Sequence, residues 1–345
     1  MSQINSIYGR LTKLKKLYSM SSEIIKEFGV SYFLRIFFRE LRIQKTSLFV
    51  PEIIPIEIKN EFFLEYDQHL KILQDKIKLE SSKITSFSKS PAFSLILIID
   101  KNTPPIKKIL NDQIYDNFEF ILVSSSKNHI ESFVSQNNIS NFQKLVTDYP
   151  KISDIISVTN SDFYIFLDDF SKLHSDFLFN IVNNINKLNS TADVYYFDED
   201  FLDKYNKRIN PFFKPDWSPY LLRSFNYIGT AFAINKNLLK KLENFLIYDK
   251  NFYYDLILHC AELSNNFIHI PIPSYSKLKI QKINQSKIIS NHIRRLELNA
   301  EIKYHEKLNS YHVNYLLQQE PKVSIIIPTK NNKSLLKRCI DSLEN

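Results

Sequence analysis

Glycine is almost missing from this sequence: Gly9, Gly29 and Gly229 are the only three in 345 residues, where an average chain would hold roughly two dozen. Loops that cradle phosphates need several glycines, so that backbone N–H groups can approach the ligand closely. The scarcity excludes Walker-type and dinucleotide-type nucleotide sites, and leaves carboxylates, a metal or ordinary side chains to hold any nucleotide. Cysteine is also scarce. Cys260 and Cys339 form no CxxC pair and no disulfide framework, and the eight histidines show no HExxH spacing; this suits a reducing compartment. Long apolar runs are lacking too, since the longest, such as SLILII at 94–99, fall far short of the roughly 18 residues a membrane helix needs. The first twenty residues are basic and interrupted, without the apolar core of a secretory signal. The expected location is therefore cytoplasmic.

What remains is an ordinary globular composition, 44% hydrophobic and 24% charged. The length accommodates one large α/β domain with extensions, or two ordinary domains. The net charge of +8 is concentrated near the N-terminus, where residues 1–46 carry nine Lys/Arg against three Glu. Arg35, Arg39 and Arg42 fall on one helical face, and Phe33, Phe37 and Leu41 on the opposite one. Such a helix either packs on the main domain with its basic face solvated, or makes a peripheral contact with an anionic membrane on the inner face of the cell membrane. Nucleic acid is an unlikely partner, because no recognised binding module accompanies the charge.

Pro51 and Pro55 interrupt the chain, after which Phe63, Tyr66, Leu70, Leu73 and Ile77 recur at 3-4 spacing and predict a helix over 60–79. SSKITSFSKSP at 81–91 reads as a polar linker. Three regions follow: a basic helical arm with its linker (1–90), a main domain (91–320) and a terminal segment (321–345). Within the main domain, apolar strands at 93–99, 118–123, 162–167 and 192–197 alternate with helices at 104–112, 127–134 and 174–188. Alternating βα units predict a mainly parallel sheet with helices on both faces. Ligands bind beyond the carboxyl ends of such strands. Asp168-Asp169 and Ser124-Ser125-Ser126 occupy two of those ends. A shift of about 230 residues superposes SLILII on SIIIPT and PPIKKIL on SLLKRCI. The terminal PKVSIIIPTKNNKSLLKRCIDSLEN thus repeats the first strand and helix of the domain. One strand and one helix cannot bury both sides of a parallel strand, so the segment is expected to dock on the main domain or to fray.

VSIIIPTKNNKSLLKRCIDSL resembles the opening of family 2 glycosyltransferases with the GT-A fold. PFFKPDWSPYLLRSFNYIGT at 211–230, preceded by YFDEDFLD, is similar to the acceptor half of bacterial family 2 enzymes for surface polysaccharides, which often carry two tandem transferase domains. The resemblance covers roughly 91–320 and 322–345. It implies a GT-A-like α/β fold and transfer of a sugar from a nucleotide-sugar donor to a surface polysaccharide or other glycan acceptor. It further implies Mg²⁺ or Mn²⁺ on Asp168 and Asp169, hard oxygen ligands that suit either ion. By the same resemblance Ser124 and Ser125 lie at the donor, and Asp198, Glu199, Asp200, Lys214, Asp216, Trp217 and Asn226 at the acceptor. A carboxylate base is implied just before the helix FYYDLILHCAE, where Asp255 is the nearest acid.

The chain departs from the family at the donor side. Phe170 stands where the metal motif has an acid, Ser124-Ser125-Ser126 where the family has Asp, and Tyr253 at the position of the base. A tyrosine, with an ordinary pKa of about 10, is a poor base at neutral pH. The residues also admit plainer roles: Asp168-Asp169 as turn and capping residues, Asp255 as a helix N-terminal acid, Trp217 as a core anchor. Two functions therefore remain open, a transferase and a catalytically inactive GT-A scaffold that binds acceptor for a partner domain. Gly229, after Asn226-Tyr227-Ile228, is expected to mark a turn or a close backbone approach.

Overall fold

A computed structural model of the chain describes residues 56–84, 86–169, 171–247, 252–278, 285–306, 308–317, 319 and 322–344. The basic arm at 1–46 and Phe170 lie outside the described residues. The first half runs α1 (Ile56–Lys83), β1 (Phe93–Ile98), α2 (Ile106–Ile109), β2 (Phe118–Ser124), α3 (Lys127–Asn137), β3 (Phe142–Val146), α4 (Ile152–Ser157), β4 (Phe163–Leu167), β5 (Ser171–Leu173) and α5 (Phe177–Leu188). The second half runs β6 (Val194–Leu202), β7 (Arg208–Phe212), α6 (Pro219–Ser224), β8 (Phe232–Asn235), α7 (Lys236–Lys240), α8 (Tyr253–Leu263), β9 (Phe267–Lys277), α9 (Ser286–Arg295), β10 (Ala300–His305), β11 (Ser310–Tyr315) and α10 (Lys333–Glu344).

One nine-stranded sheet organises the domain, in the order β3-β2-β1-β4-β8-β6-β9-β5 with β7 beside β6. Strands β1 to β4 run parallel, and β8 reverses between β4 and β6. Strand β9 is parallel to β6, while β5 and β7 are antiparallel additions. The expected α/β class with a mainly parallel sheet is what the structure has. Side chains alternate across the sheet, as the strand period of two requires. Phe93, Leu95 and Leu97 of β1 join a core with Ile109 of α2, Ile130 of α3 and Ile181 of α5. Ile96 joins Ile155 of α4, Leu238 of α7 and Leu256 of α8 on the other side. Both faces are therefore covered by helices, which explains the uninterrupted apolar reading of β1.

Two sequence expectations change. Helix α2 has only four residues, shorter than the 104–112 expected, because Leu110 leaves the helix for extended backbone and bridges to Leu173. Strand β6 runs on to Leu202, so Asp198, Glu199 and Asp200 lie inside a strand rather than after one. Helix α1 is longer than its predicted core and packs through Tyr66, Leu70 and Ile77. The terminal segment does not dock: 322–331 forms no strand, and Val323 and Ile326 are exposed.

Glycine scarcity is met by asparagine. The described left-handed non-glycine positions are Asn138, Asn189, Asn206, Asn210, Asn309, Asn331 and Glu297. Asn138 and Asn189 close α3 and α5 at φ 52° and 50°, the position where most helices use glycine. Asparagine tolerates this region better than other side chains. Asn189→Ala should therefore lower stability by about 1 kcal/mol, whereas Asn189→Gly should be near neutral. Urea unfolding of the two variants beside the parent measures the difference.

Candidate functional site

Strand register brings the candidate donor residues to one edge. Leu97 pairs with Leu167, and Ile98 with Val123. The next residues of β1, β2 and β4 therefore emerge together at the carboxyl edge: Asp100, Ser124-Ser125 and Asp168-Asp169. Asp168 is nearly buried and lines a cleft of about 10 Å³ with Ile109, Phe166, Ser171, Leu173 and Thr230. Ser171 Oγ donates to Asp168 Oδ2 at 3.1 Å and lies 3.1 Å from Thr230 Oγ1. Ser124 is committed inward, donating to the Ile99 carbonyl at 2.7 Å, which leaves Ser125 as the exposed hydroxyl of the expected pair. Asp100 was not anticipated from the sequence, although its place directly after an apolar strand is the same signal that marked Asp168. It accepts from the Asn102 N–H at 2.8 Å and from the Thr103 hydroxyl at 3.2 Å.

Asp168 and Asp169 are hard oxygen donors. Among the described residues no group of three His, Cys, Asp or Glu is gathered, so an all-protein cage is absent there. Mg²⁺ commonly keeps several waters and takes one or two carboxylates plus substrate phosphates. The pair fits that partial shell.

Tyr253 stands where the resemblance implies a base, as the sequence has it. Tyr253 is buried at the start of α8, and burial, followed by the charges of Asp168 and Asp169, pushes its phenol well above the ordinary range. Two residues on a helix rotate a side chain by about 200°, so Asp255 is turned away from Tyr253's surroundings. Its carboxylate lies 3.3 Å from His259 Nδ1 and 3.5 Å from Arg295 Nη2, and Arg295 also grips Glu262. The catalytic role expected for Asp255 does not match this placement: its partners are α8 and α9, and Tyr253 is the group that lies by Asp168.

The acceptor residues form a dense internal network. Asp198 accepts from the Lys214 backbone N–H at 2.7 Å and has His269 Nε2 at 2.8 Å. Asp200 accepts from Tyr66 Oη and Arg208 Nε, both at 2.6 Å, and from Ser276. Glu199 points to the opposite face and meets Lys214 Nζ at 2.9 Å, Lys277 Nζ at 2.5 Å and the Tyr275 hydroxyl. Asn226 closes a turn around Gly229 through both ends of its amide. Trp217 stacks on Phe267 with ring centroids 3.8 Å apart, so one of its faces is covered. Asp216 alone of the set has a fully exposed side chain. Asp198, Glu199 and Lys214 thus serve one another, and Asp200, Trp217 and Asn226 are engaged by other residues of the fold.

Burial opposes the charge on Glu199, yet Lys214 and Lys277 outweigh it and hold the carboxyl at about 2. Burial pulls the Lys214 ammonium down to about 8 despite Glu199. Gly229, at φ +84°, passes directly over this cluster: a Cβ there would lie 2.2 Å from Tyr275 Oη and 2.8 Å from Glu199 Oε2. The expected close approach is present.

Parts of this chain are similar to known proteins. No family model matches the chain. It is 32% identical over 164 residues to the O-antigen biosynthesis protein RfbC of Myxococcus xanthus, a match spanning 44% of this chain and 13% of that protein. It is also 25% identical over 205 residues to the uncharacterized protein y4gI of Sinorhizobium fredii (strain NBRC 101917 / NGR234), covering 54% of this chain and 22% of that one. The chain thus spans well under two thirds of the length of these curated relatives. Among solved structures, S. aureus TarS 1-349 overlays with a TM-score of 0.43 at 13% identity, covering 59% of this chain and 64% of that one. The same fragment in complex with UDP-GlcNAc gives a TM-score of 0.39 at 13% identity, covering 59% and 66%.

Two predictions follow from the buried groups. Gly229→Ala combines left-handed strain with a clash against Tyr275 and should cost about 2–4 kcal/mol, read as a lower urea midpoint with unchanged slope. His174, buried against Ser276 at 2.8 Å, has its pKa lowered well below the ordinary value by burial, then by Arg208 and Lys172. The unfolded state then binds more protons below about pH 6.5, so acidification through the window beneath that value should destabilise the fold. His259, raised by its Asp255 contacts against burial, acts in the opposite sense only above that window. Urea midpoints at about pH 6.5 and 5.5 should fall for the parent and fall less for His174→Gln.

Proposed function

We propose that this chain is a GT-A-type glycosyltransferase domain of family 2 that takes a nucleotide-sugar at the carboxyl edge of β1, β2 and β4, in a cytoplasmic step of surface polysaccharide assembly. The observation that carries the reading is Asp168 with Asp169 at the end of β4, level with the carboxyl ends of β1 and β2. Asp168 and Asp169 would hold Mg²⁺ or Mn²⁺, which when bound neutralises the charge of a departing diphosphate. Ser125 and Asp100 lie along the same edge for the nucleoside, and Asp216 and the free face of Trp217 are the outward groups of the acceptor side. The donor is of the kind bound in the TarS complex with UDP-GlcNAc.

A second reading is favoured by a specific observation. Transfer needs a base for the acceptor hydroxyl, and Tyr253 stays protonated where one would act. Asp255 is bound to Arg295 and His259, which on this reading leaves it no part in the chemistry. On this reading the domain binds donor and glycan and acts as a scaffold for a partner transferase domain.

Calorimetric titration of the full chain with UDP- and GDP-sugars and Mn²⁺ tests the site. Donor binding should occur and should weaken at least about tenfold in Asp168→Ala, the loss of a charged ligand contact. No heat across the donor panel overturns the proposal. Product formation from a bound donor and a glycan acceptor would separate a working transferase from the scaffold.

A further inference from the structure

Helix α6 is fastened to the core by one residue and carries a cation and an aromatic ring outward on others. Leu222 is buried, and its carbonyl accepts from Tyr254 Oη of α8 at 2.5 Å. Tyr220 and Arg223, three residues apart, share one face of the helix, and the Tyr220 side chain is 68% exposed. The guanidinium of Arg223 lies 5.3 Å from the centre of the Tyr220 ring and 6.0 Å from that of Tyr315, the last residue of β11. The two rings stand at 81° with centres 6.4 Å apart, and Tyr315 is 36% exposed. They make a corner with a cation against it.

That cation is fixed from within. Arg223 Nη1 donates to Tyr315 Oη at 2.9 Å, and Nε donates to His292 Nε2 at 3.4 Å. An arginine N–H can only donate, so His292 accepts at Nε2 and donates from Nδ1 to Glu262 at 2.7 Å. His292 is buried, and Glu262 is gripped in turn by Arg295. None of the partners of Arg223 is a carboxylate, whereas Arg208, Lys214 and Lys277 each meet an acid. Among the described residues only two of its five N–H donors are used. A guanidinium held in place without an acid matches an external one, which it can take through two parallel N–H bonds.

We infer that Tyr220, Arg223 and Tyr315 form a binding subsite for a carboxylate-bearing sugar, its ring on Tyr220 and its carboxylate on Arg223. A pyranose presents an apolar C–H face to an aromatic ring, and the two phenol hydroxyls suit its hydroxyl groups. A single guanidinium balances the single negative charge of a carboxylate. The chain also leads here from the acceptor side: Asp216 and Trp217 run into Ser218, whose hydroxyl accepts from the Leu221 N–H at 3.3 Å and caps α6. The inference rests on the proposed glycan acceptor and names its class, a polysaccharide with acidic sugars. Because His292 and Tyr315 already hold Arg223, little side-chain freedom is lost on binding.

Calorimetric titration of the full chain with oligogalacturonate, hyaluronan oligosaccharides and neutral maltohexaose tests it, beside UDP with Mn²⁺ and a glutamate hexapeptide. The acidic glycans should bind more tightly than maltohexaose and lose affinity as salt rises. Arg223→Gln should weaken them roughly tenfold or more, and Tyr220→Ala, a change at an exposed ring that leaves the circular dichroism spectrum as it is, about threefold or more. UDP binding should stay the same in both variants. Equal acidic-glycan binding by parent and variants overturns the inference, as does equal affinity for maltohexaose. The hexapeptide bound through Arg223 as tightly as the glycans overturns it in favour of a protein partner. No binding of either acidic glycan also overturns it, and leaves the donor reading standing if UDP binds. Acidic glycan held through Arg223 without any UDP or UDP-sugar binding supports the subsite and removes the nucleotide-sugar reading.

Discussion

Glu199 is the residue around which the second half of the sheet is arranged. A buried carboxylate is costly unless it is paired and hydrogen-bonded, and this one meets two ammonium groups and a phenol. Those partners come from β9 and from the chain after β7, so a single charge ties together β6, β9 and the turn at Gly229. Removing both lysines would leave an uncompensated charge in the interior. The absence of a side chain at Gly229 is part of the same arrangement, because a Cβ would occupy the space of the Tyr275 hydroxyl. A chain that elsewhere replaces glycine by asparagine at left-handed positions keeps glycine here for lack of room.

The same strand separates two networks by its period of two. Asp198 and Asp200 face His269, Arg208 and Tyr66, while Glu199 faces the lysines. Asp200 also fastens α1 to the sheet through Tyr66, with Lys207 to Asp67 as an outer contact. Three consecutive acids therefore do three structural tasks: one positions Lys214, one pairs two lysines, and one holds the N-terminal helix. Register irregularities between β6 and β9 at Asp198 and Glu199 accommodate this crowding.

The sheet was legible in the sequence because buried parallel strands read as unbroken apolar runs, and FSLILI, FEFILV and DFYIFL each became a strand. The carboxyl-edge placement of Asp168 followed from that pattern alone. Burial of the acids did not, since DED after VYYF looks like a solvated turn until the strand is seen to continue to Leu202. Their partners Tyr275, Lys277 and Arg208 are remote in sequence and carry no motif. Asp255 shows the same limit at finer scale: the sequence places an acid near the start of α8, but only the helical phase decides which way it faces.

That phase decides which side chain of α8 lies by Asp168. Burial of Tyr253 and the negative charges of Asp168 and Asp169 all favour the neutral phenol. The carboxylate two positions on cannot exchange places without rotating α8, and Leu256, Ile257 and Leu258 fix that helix in the core. Arg295 and His259 hold Asp255 from the other side. The packing that fixes α8 is thus the reason that Tyr253, and not Asp255, lies by Asp168 and Asp169.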